Sequence, residues 1–196
     1  DRLEGLRTAI CEAVAETDDE LFEKYFADEE LTPEEIIVGV SKGVKSGTIT
    51  PVFCGDAMLM RGMEQFMDGL TWLAPSAADK AGELGKAPDG NPVEISVSSD
   101  GAAAAIVFKT VADPFIGKLS YIKVIAGKIS TESQLVNMRT GAAERIGKTV
   151  MLTGKKQEDV KYIGAGDIGA VPKLSATNTG DTLCAPARKV TLDGVD

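Results

Sequence analysis

The chain of 196 residues has no histidine, which removes imidazole general bases, histidine-dependent triads and zinc sites of the usual kind. Cysteine is scarce. Cys11, Cys54 and Cys184 are widely separated, form no C-x-x-C pair, and read as small buried filler in a reducing compartment. No apolar run approaches the roughly 18 residues that suggest a membrane span. The opening Asp1-Arg2-Leu3-Glu4 has neither the basic leader nor the apolar stretch of a signal peptide. It falls inside a helical pattern, so the chain is expected to be a fragment. Catalysis would have to rest on carboxylates, lysines or a lone thiol. The acid pairs Asp18/Asp19 and Glu29/Glu30 read as solvated helix ends, and Cys54 has no visible base.

What is present is ordinary in amount and uneven in placement. Hydrophobic residues make up 43% and charged residues 26%, as in a soluble globular protein with room for one large domain or two small ones. The net charge of −9 is not spread evenly. Residues 1–100 carry 8 Lys/Arg against 21 Asp/Glu, whereas residues 101–196 carry 13 against 9. The second half could therefore tolerate a polyanion, although solvated lysines usually serve solubility.

Up to about residue 75 the pattern is helical. Leu3, Leu6, Ile10, Ala13 and Val14 fall at helical spacing, and Leu21, Phe22, Tyr25 and Phe26 make a second stripe after the acidic Asp18-Asp19-Glu20. Thr32-Pro33-Glu34-Glu35 predicts a capping box with proline at the first helical position. Ile36, Ile37, Val40 and Val44 then give that helix an expected buried face. Met63, Phe66, Met67, Leu70 and Leu73 do so for a last helix, ended by Pro75. Between them Ile49–Cys54 reads as one strand of a parallel α/β sheet. A lone parallel strand must pair with something, so the rest of its sheet is expected outside this sequence.

Residues 77–92 read as a Pro/Gly/Ala-rich linker, after which the period changes to two. Ala103-Ala105-Val107 against Ala104-Ile106-Phe108 predicts a strand buried on both sides, and Ile122, Val124 and Ala126 alternate likewise. Further short strands are expected around 134–138, 145–152, 169–174 and 190–192. Strands at this spacing, without helical period between them, predict a closed antiparallel barrel over 93–196. The fold class is thus α+β in two domains. Gly164-Ala165-Gly166-Asp167-Ile168-Gly169 satisfies G-x-G-x-x-G, but Ala170-Val171-Pro172 follows where a dinucleotide site needs a helix. These glycines read as turns between strands. Pro172 predicts an edge position or a bulge. Lys155-Lys156 could touch phosphate, with surface solubility the default.

Three strings carry a resemblance. Ala112-Asp113-Pro114-Phe115-Ile116-Gly117-Lys118-Leu119-Ser120-Tyr121 is echoed by Gly166-Asp167-Ile168-Gly169-Ala170-Val171 and Thr179-Gly180-Asp181-Thr182-Leu183. Together these resemble the second domain of bacterial elongation factor G, a translational GTPase. Asp18–Phe26 and Glu29–Ile36 resemble the late helices of that family's GTPase domain, and Thr50–Ala57 its last sheet strand and fifth guanine-nucleotide loop. The resemblance implies that residues 1–76 are the C-terminal part of a P-loop GTPase domain and 93–196 a translation-factor β-barrel. It implies that Gly55, Asp56 and Ala57 are a remnant guanine loop. Asp56 stands where the family usually has serine, and Met58-Leu59-Met60-Arg61-Gly62 replaces a lysine-bearing stretch.

No G-x-x-x-x-G-K-[ST] phosphate loop and no N-K-x-D occur. The chain alone is therefore expected to hold no cofactor and to hydrolyse nothing, with GTP and magnesium belonging to the parent protein. The resemblance implies a cytoplasmic protein whose partners are the remaining GTPase domain and the ribosome, through small-subunit RNA, with no membrane. Lys118, Arg139, Arg145 and Lys148 are the expected contacts to RNA phosphates. The alternatives are a ribosome-recycling or ribosome-protection paralogue, or a stand-alone β-barrel interaction module.

Overall fold

A computed structural model describes residues 2–80, 82–114, 117–154 and 156–194. The chain divides into two compact units, 1–76 and 77–196.

The first unit holds α1 (Arg2–Ala15), α2 (Asp19–Phe26), α3 (Pro33–Ser46) and α4 (Met63–Leu73). Local chemistry sets the boundaries. Asp18 caps α2 by accepting the Glu20 N–H at 3.0 Å. The predicted capping box of α3 is complete: Thr32 Oγ1 accepts the Glu35 N–H at 3.2 Å, and the Glu35 carboxylate accepts the Thr32 N–H at 2.7 Å. Gly47 then ends α3 in the left-handed conformation, at φ 81°. Two ion pairs tie the helices, Lys24–Glu35 at 2.7 Å and Lys42–Asp18 at 2.5 Å.

The apolar stripes are only partly used. Val14, Ala15 and Leu31 are buried, but Leu3 is 75% exposed, and Leu6, Ile10, Ile37, Met67 and Leu70 are exposed as well. Continuous buried faces were expected there. A four-helix unit without a sheet supplies no second layer for them.

The strand expected at Ile49–Cys54 does not form. Among the described residues its backbone joins no ladder, and its first N–H, at Ile49, donates to the Gly43 carbonyl at 3.0 Å. Its side chains enter spaces left by glycines. A Cβ on Gly43 would lie 2.5 Å from Ile49 Cδ1, and one on Gly69 would lie 2.5 Å from the Phe53 ring. Val52 is 85% exposed. Cys54 is exposed and Cys11 half-buried, so only Cys184 is the buried filler expected of all three.

The second unit is antiparallel. A single 3-10 turn (Ala77–Asp79) leads into β1 (Gly82–Lys86) and β2 (Pro92–Ser96). The stretch 77–92 is therefore not a linker: β1 and β2 pair over five residues, with a turn at 87–90. The following strands are β3 (Ala104–Asp113), β4 (Gly117–Ala126), β5 (Lys128–Ser130), β6 (Gln134–Asn137), β7 (Ala143–Arg145) and β8 (Thr149–Thr153). The chain ends with β9 (Lys156–Val160), β10 (Tyr162–Gly164), β11 (Ile168–Pro172), β12 (Thr182–Cys184) and β13 (Thr191–Leu192).

Eight strands form one sheet in the order β7-β6-β12-β3-β4-β11-β8-β9. Two smaller sheets, β10-β5 and β13-β1-β2, accompany it. Among the described residues no ladder joins β7 to β9, so the unit is barrel-like rather than closed by one continuous ladder. The β5–β10 ribbon contributes Ile129 and Ile163 to the main core, beside Val107, Ile122, Leu135 and Leu183. The other face of β3 packs Ala104 and Ile106 with Ile95, Cys184 and Leu192. This explains why β3 reads as apolar on both sides.

The glycine string at 164–169 is a strand–turn–strand passage. Gly164 ends β10, Gly166 turns at φ 87°, and Gly169 lies in β11 against Ile163. Pro172 is the last residue of β11 and pairs with Leu119 of β4 alone, since β8 meets β11 only at Ala170; its position is edge-like on one side, and no register shift marks a bulge there. Phe115, Ile116 and Lys155 of the sequence strings lie outside the described residues.

Among the described residues, one buried side-chain polar atom lacks a partner. Ser120, fully buried on β4 between Thr110 and Val171, has no hydrogen bond to its Oγ. An unpaired buried hydroxyl destabilises, so Ser120→Ala is expected to raise stability by about 1 kcal/mol in urea denaturation. A loss of stability would mean that a buried water satisfies the group.

Candidate functional site

The segment expected to be a remnant guanine loop, Gly55–Ala57, opens a tight hairpin turn. Asp56 and Arg61 exchange backbone hydrogen bonds at 2.9 and 3.0 Å. The Asp56 carboxylate is used inside the turn, accepting the N–H groups of Met58 at 2.9 Å and Leu59 at 3.1 Å. Gly55 is needed for close approach, because a Cβ there would meet Met63 Cε at 2.7 Å and the Arg61 carbonyl at 3.0 Å. Ala57 is exposed, as are Met58, Leu59 and Met60. Met60 adopts φ 56°, a conformation that costs an ordinary side chain about 1–2 kcal/mol.

The four cations expected to meet RNA are all engaged. Lys118 Nζ donates to the Thr177 carbonyl, and to Asn178 Oδ1 at 3.2 Å. Arg139 grips Asp181 with two bonds, Nε to Oδ1 at 2.6 Å and Nη2 to Oδ2 at 2.9 Å. Arg145 pairs with Glu132, and Lys148 with Asp159 at 2.7 Å. Lys156 likewise meets Glu158, at 2.5 Å. The last three pairs are solvent-exposed, so each contributes little to stability and exchanges readily. Lys118 and Arg139 instead hold the 174–181 loop.

That loop contains the charges that reading the sequence for surface cations missed. Asp181 is buried. It accepts from Arg139, from Asn137 Nδ2 at 2.8 Å and from the Asn178 N–H at 2.8 Å. Burial alone would raise its pKa, but Arg139, Asn178 and Asn137 outweigh that and hold it at about 2. Glu144, also buried, accepts the Ala176 N–H at 2.8 Å, the Thr177 hydroxyl at 2.8 Å and the Ser175 N–H at 3.3 Å. Thr179-Gly180-Asp181 was visible as a string, but nothing in it marks the carboxylate as internal.

With this geometry in place, likeness to known proteins can be judged. Residues 102–186 match the family model of elongation factor G domain 2. That stretch, under half of the chain, is thus similar to a translation-factor domain II. Both units share their fold with the crystal structure of ttk003000868 from Thermus thermophilus, at a TM-score of 0.72 and 24% identity. The match covers 95% of this chain and 26% of that one, so the chain spans about a quarter of that protein's length. At such identity the likeness speaks for fold alone.

Two outcomes follow from this chemistry. Met60→Asn enters the left-handed region more easily and is expected to add about 0.5–1 kcal/mol, read from Trp72 fluorescence in urea. No change would mean that the turn relaxes around Met60 at no cost. Because the Asp181 pKa is depressed, its stabilisation is complete above the unfolded carboxylate value near 4 and is lost as pH falls through about 2. Asp181→Asn should therefore lower stability at pH 7 and flatten its decline between about pH 4 and 2. An unaltered acid profile would disprove the assignment.

Proposed function

We propose that this chain is part of an elongation factor G-type translational GTPase, joining the closing portion of the GTPase domain to domain II. The match over 102–186 carries the reading. The first unit supports it, since an apolar segment at 49–54 that joins no ladder among the described residues, beside exposed helix stripes, needs a neighbouring layer to become stable. In this reading the layer is the remaining parallel sheet of the GTPase domain, and GTP and magnesium are held by residues outside this chain. The Gly55–Ala57 turn would face the guanine, with backbone groups rather than the self-engaged Asp56 side chain.

The barrel-like unit would relay nucleotide-dependent movement and lean on small-subunit ribosomal RNA, in the cytoplasm. Of the four expected cations, Arg145 and Lys148 suit phosphate, since their present pairs are exposed and exchangeable. Lys118 and Arg139 serve the loop. Alanine at Arg145 and Lys148 in the longer protein should reduce the salt dependence of ribosome binding by about one logarithmic unit of slope per lost contact. An unchanged slope would reject the assignment.

One observation favours a recycling or protection role over translocation: the self-capped Asp56 turn with its exposed Met58, Leu59 and Met60. Ribosome-stimulated GTP hydrolysis, translocation and subunit-splitting assays on the longer protein separate these roles. Vigorous translocation removes the second reading, and no ribosome-stimulated hydrolysis removes both.

A further inference from the structure

Two cations of the second unit differ from those described so far. Arg188 and Lys189 have no acidic partner among the described residues, and Arg188 is half-buried. They border a cavity of about 250 Å³ between the turn joining β6 to β7 and the segment 185–189. Its walls are Val136, Met138, Gly141, Ala185 and Pro186, together with Asn137. Asn137 has nothing left to offer a ligand. Its Nδ2 donates to Thr177 and Asp181, and its Oδ1 accepts the Arg139 and Thr140 N–H groups. The cavity is thus apolar inside and cationic at the rim.

Both walls are fixed before anything binds. The Gly141 N–H donates to the Asn137 carbonyl at 2.8 Å, and Arg139 is clamped to Asp181. Opposite, the Arg188 N–H closes a turn onto the Ala185 carbonyl at 2.8 Å, and the Cys184 thiol donates to the Val190 carbonyl at 3.3 Å. A rigid cavity avoids the ordering cost that weakens association.

We propose that this cavity docks an acidic peptide segment, which inserts one bulky apolar side chain and lays flanking carboxylates on Arg188 and Lys189. Two observations select that occupant. The volume lies below the ~300–1,000 Å³ of small-molecule sites and suits a single side chain. Among the described residues no aromatic lines it, whereas sequence-tolerant binding of single-stranded nucleic acid relies on aromatic stacking. A half-buried guanidinium without an acid, at an apolar mouth, is complemented by a carboxylate through two parallel N–H···O bonds. The inference does not depend on the proposed GTPase parent.

The test is fluorescence anisotropy on the 196-residue chain with a labelled Glu-Asp-Phe-Glu-Asp peptide, the same peptide with alanine for phenylalanine, and a ten-nucleotide oligouridine. The phenylalanine peptide is expected to bind saturably, and the alanine peptide at least roughly 10-fold more weakly. Arg188→Glu with Lys189→Glu should weaken binding at least roughly 10-fold. Lys189→Glu alone, on the exposed side of the rim, should weaken it about 3-fold and guards against misfolding at Arg188. The proposal fails if the peptide does not bind, if both peptides bind alike, or if the charge reversals change nothing. It fails equally if oligouridine displaces the peptide and loses affinity through the same substitutions, which would make the rim a nucleic-acid face.

Discussion

The second unit depends on keeping one buried carboxylate charged. Asp181 sits at the start of β12 and gathers the β6–β7 turn through Arg139 and Asn137, and the 174–181 loop through the Asn178 N–H. Its own carbonyl accepts the Val107 N–H, while the Gly180 N–H donates to the Val107 carbonyl, so the hub also fixes β3. Leaving a buried charge without partners costs about 3–5 kcal/mol, whereas a satisfied one costs little and admits few alternatives. Glu144 repeats the device from β7, holding Ser175, Ala176 and Thr177. Two acids thereby shape a loop that has few apolar side chains to pack it.

The first unit shows the opposite condition. Its helices are well capped and locally consistent, yet the segment 49–55 joins no ladder and has side chains half sheltered by Gly43 and Gly69. Capping and helix propensity act over one or two turns, so they form with or without neighbours. A parallel strand needs another strand, and no local residue supplies one. The capping box at Thr32–Glu35 and the absent strand at Ile49–Cys54 therefore have one cause. Short-range chemistry is complete within the unit, and long-range pairing is not.

The same division governs how much could be read beforehand. β3, β4, β6 and β11 were legible because they alternate or are buried on both faces, a pattern that period and burial write directly into sequence. β1 was mistaken for part of a linker, which was drawn up to the first residue of β2, because Gly82, Gly85 and Pro92 resemble punctuation. Only the pairing with each other and with β13 turns them into a sheet. β9 was hidden because Lys156-Gln157-Glu158-Asp159 is a charged strand at the edge of the large sheet, where charge discourages further pairing. Among the site residues, the Gly55–Ala57 turn and the cations were visible as residue types. Their engagement was not, since Arg139 finds Asp181 across forty-two residues of chain.

That engagement changes how a basic surface should be judged. By count, residues 101–196 carry an excess of four positive charges, and the count treats every lysine and arginine as equivalent. The structure divides them. Arg139 and Lys118 fasten the 174–181 loop, Arg145 and Lys148 are exposed pairs that an anion could displace, and Arg188 and Lys189 meet no acid among the described residues. An incoming anion must break nothing to reach the last pair, must exchange a weak partner for the second, and must undo the loop to use the first. Binding should follow that order of cost, and the excess of charge fixes only how strongly all three feel an approaching anion.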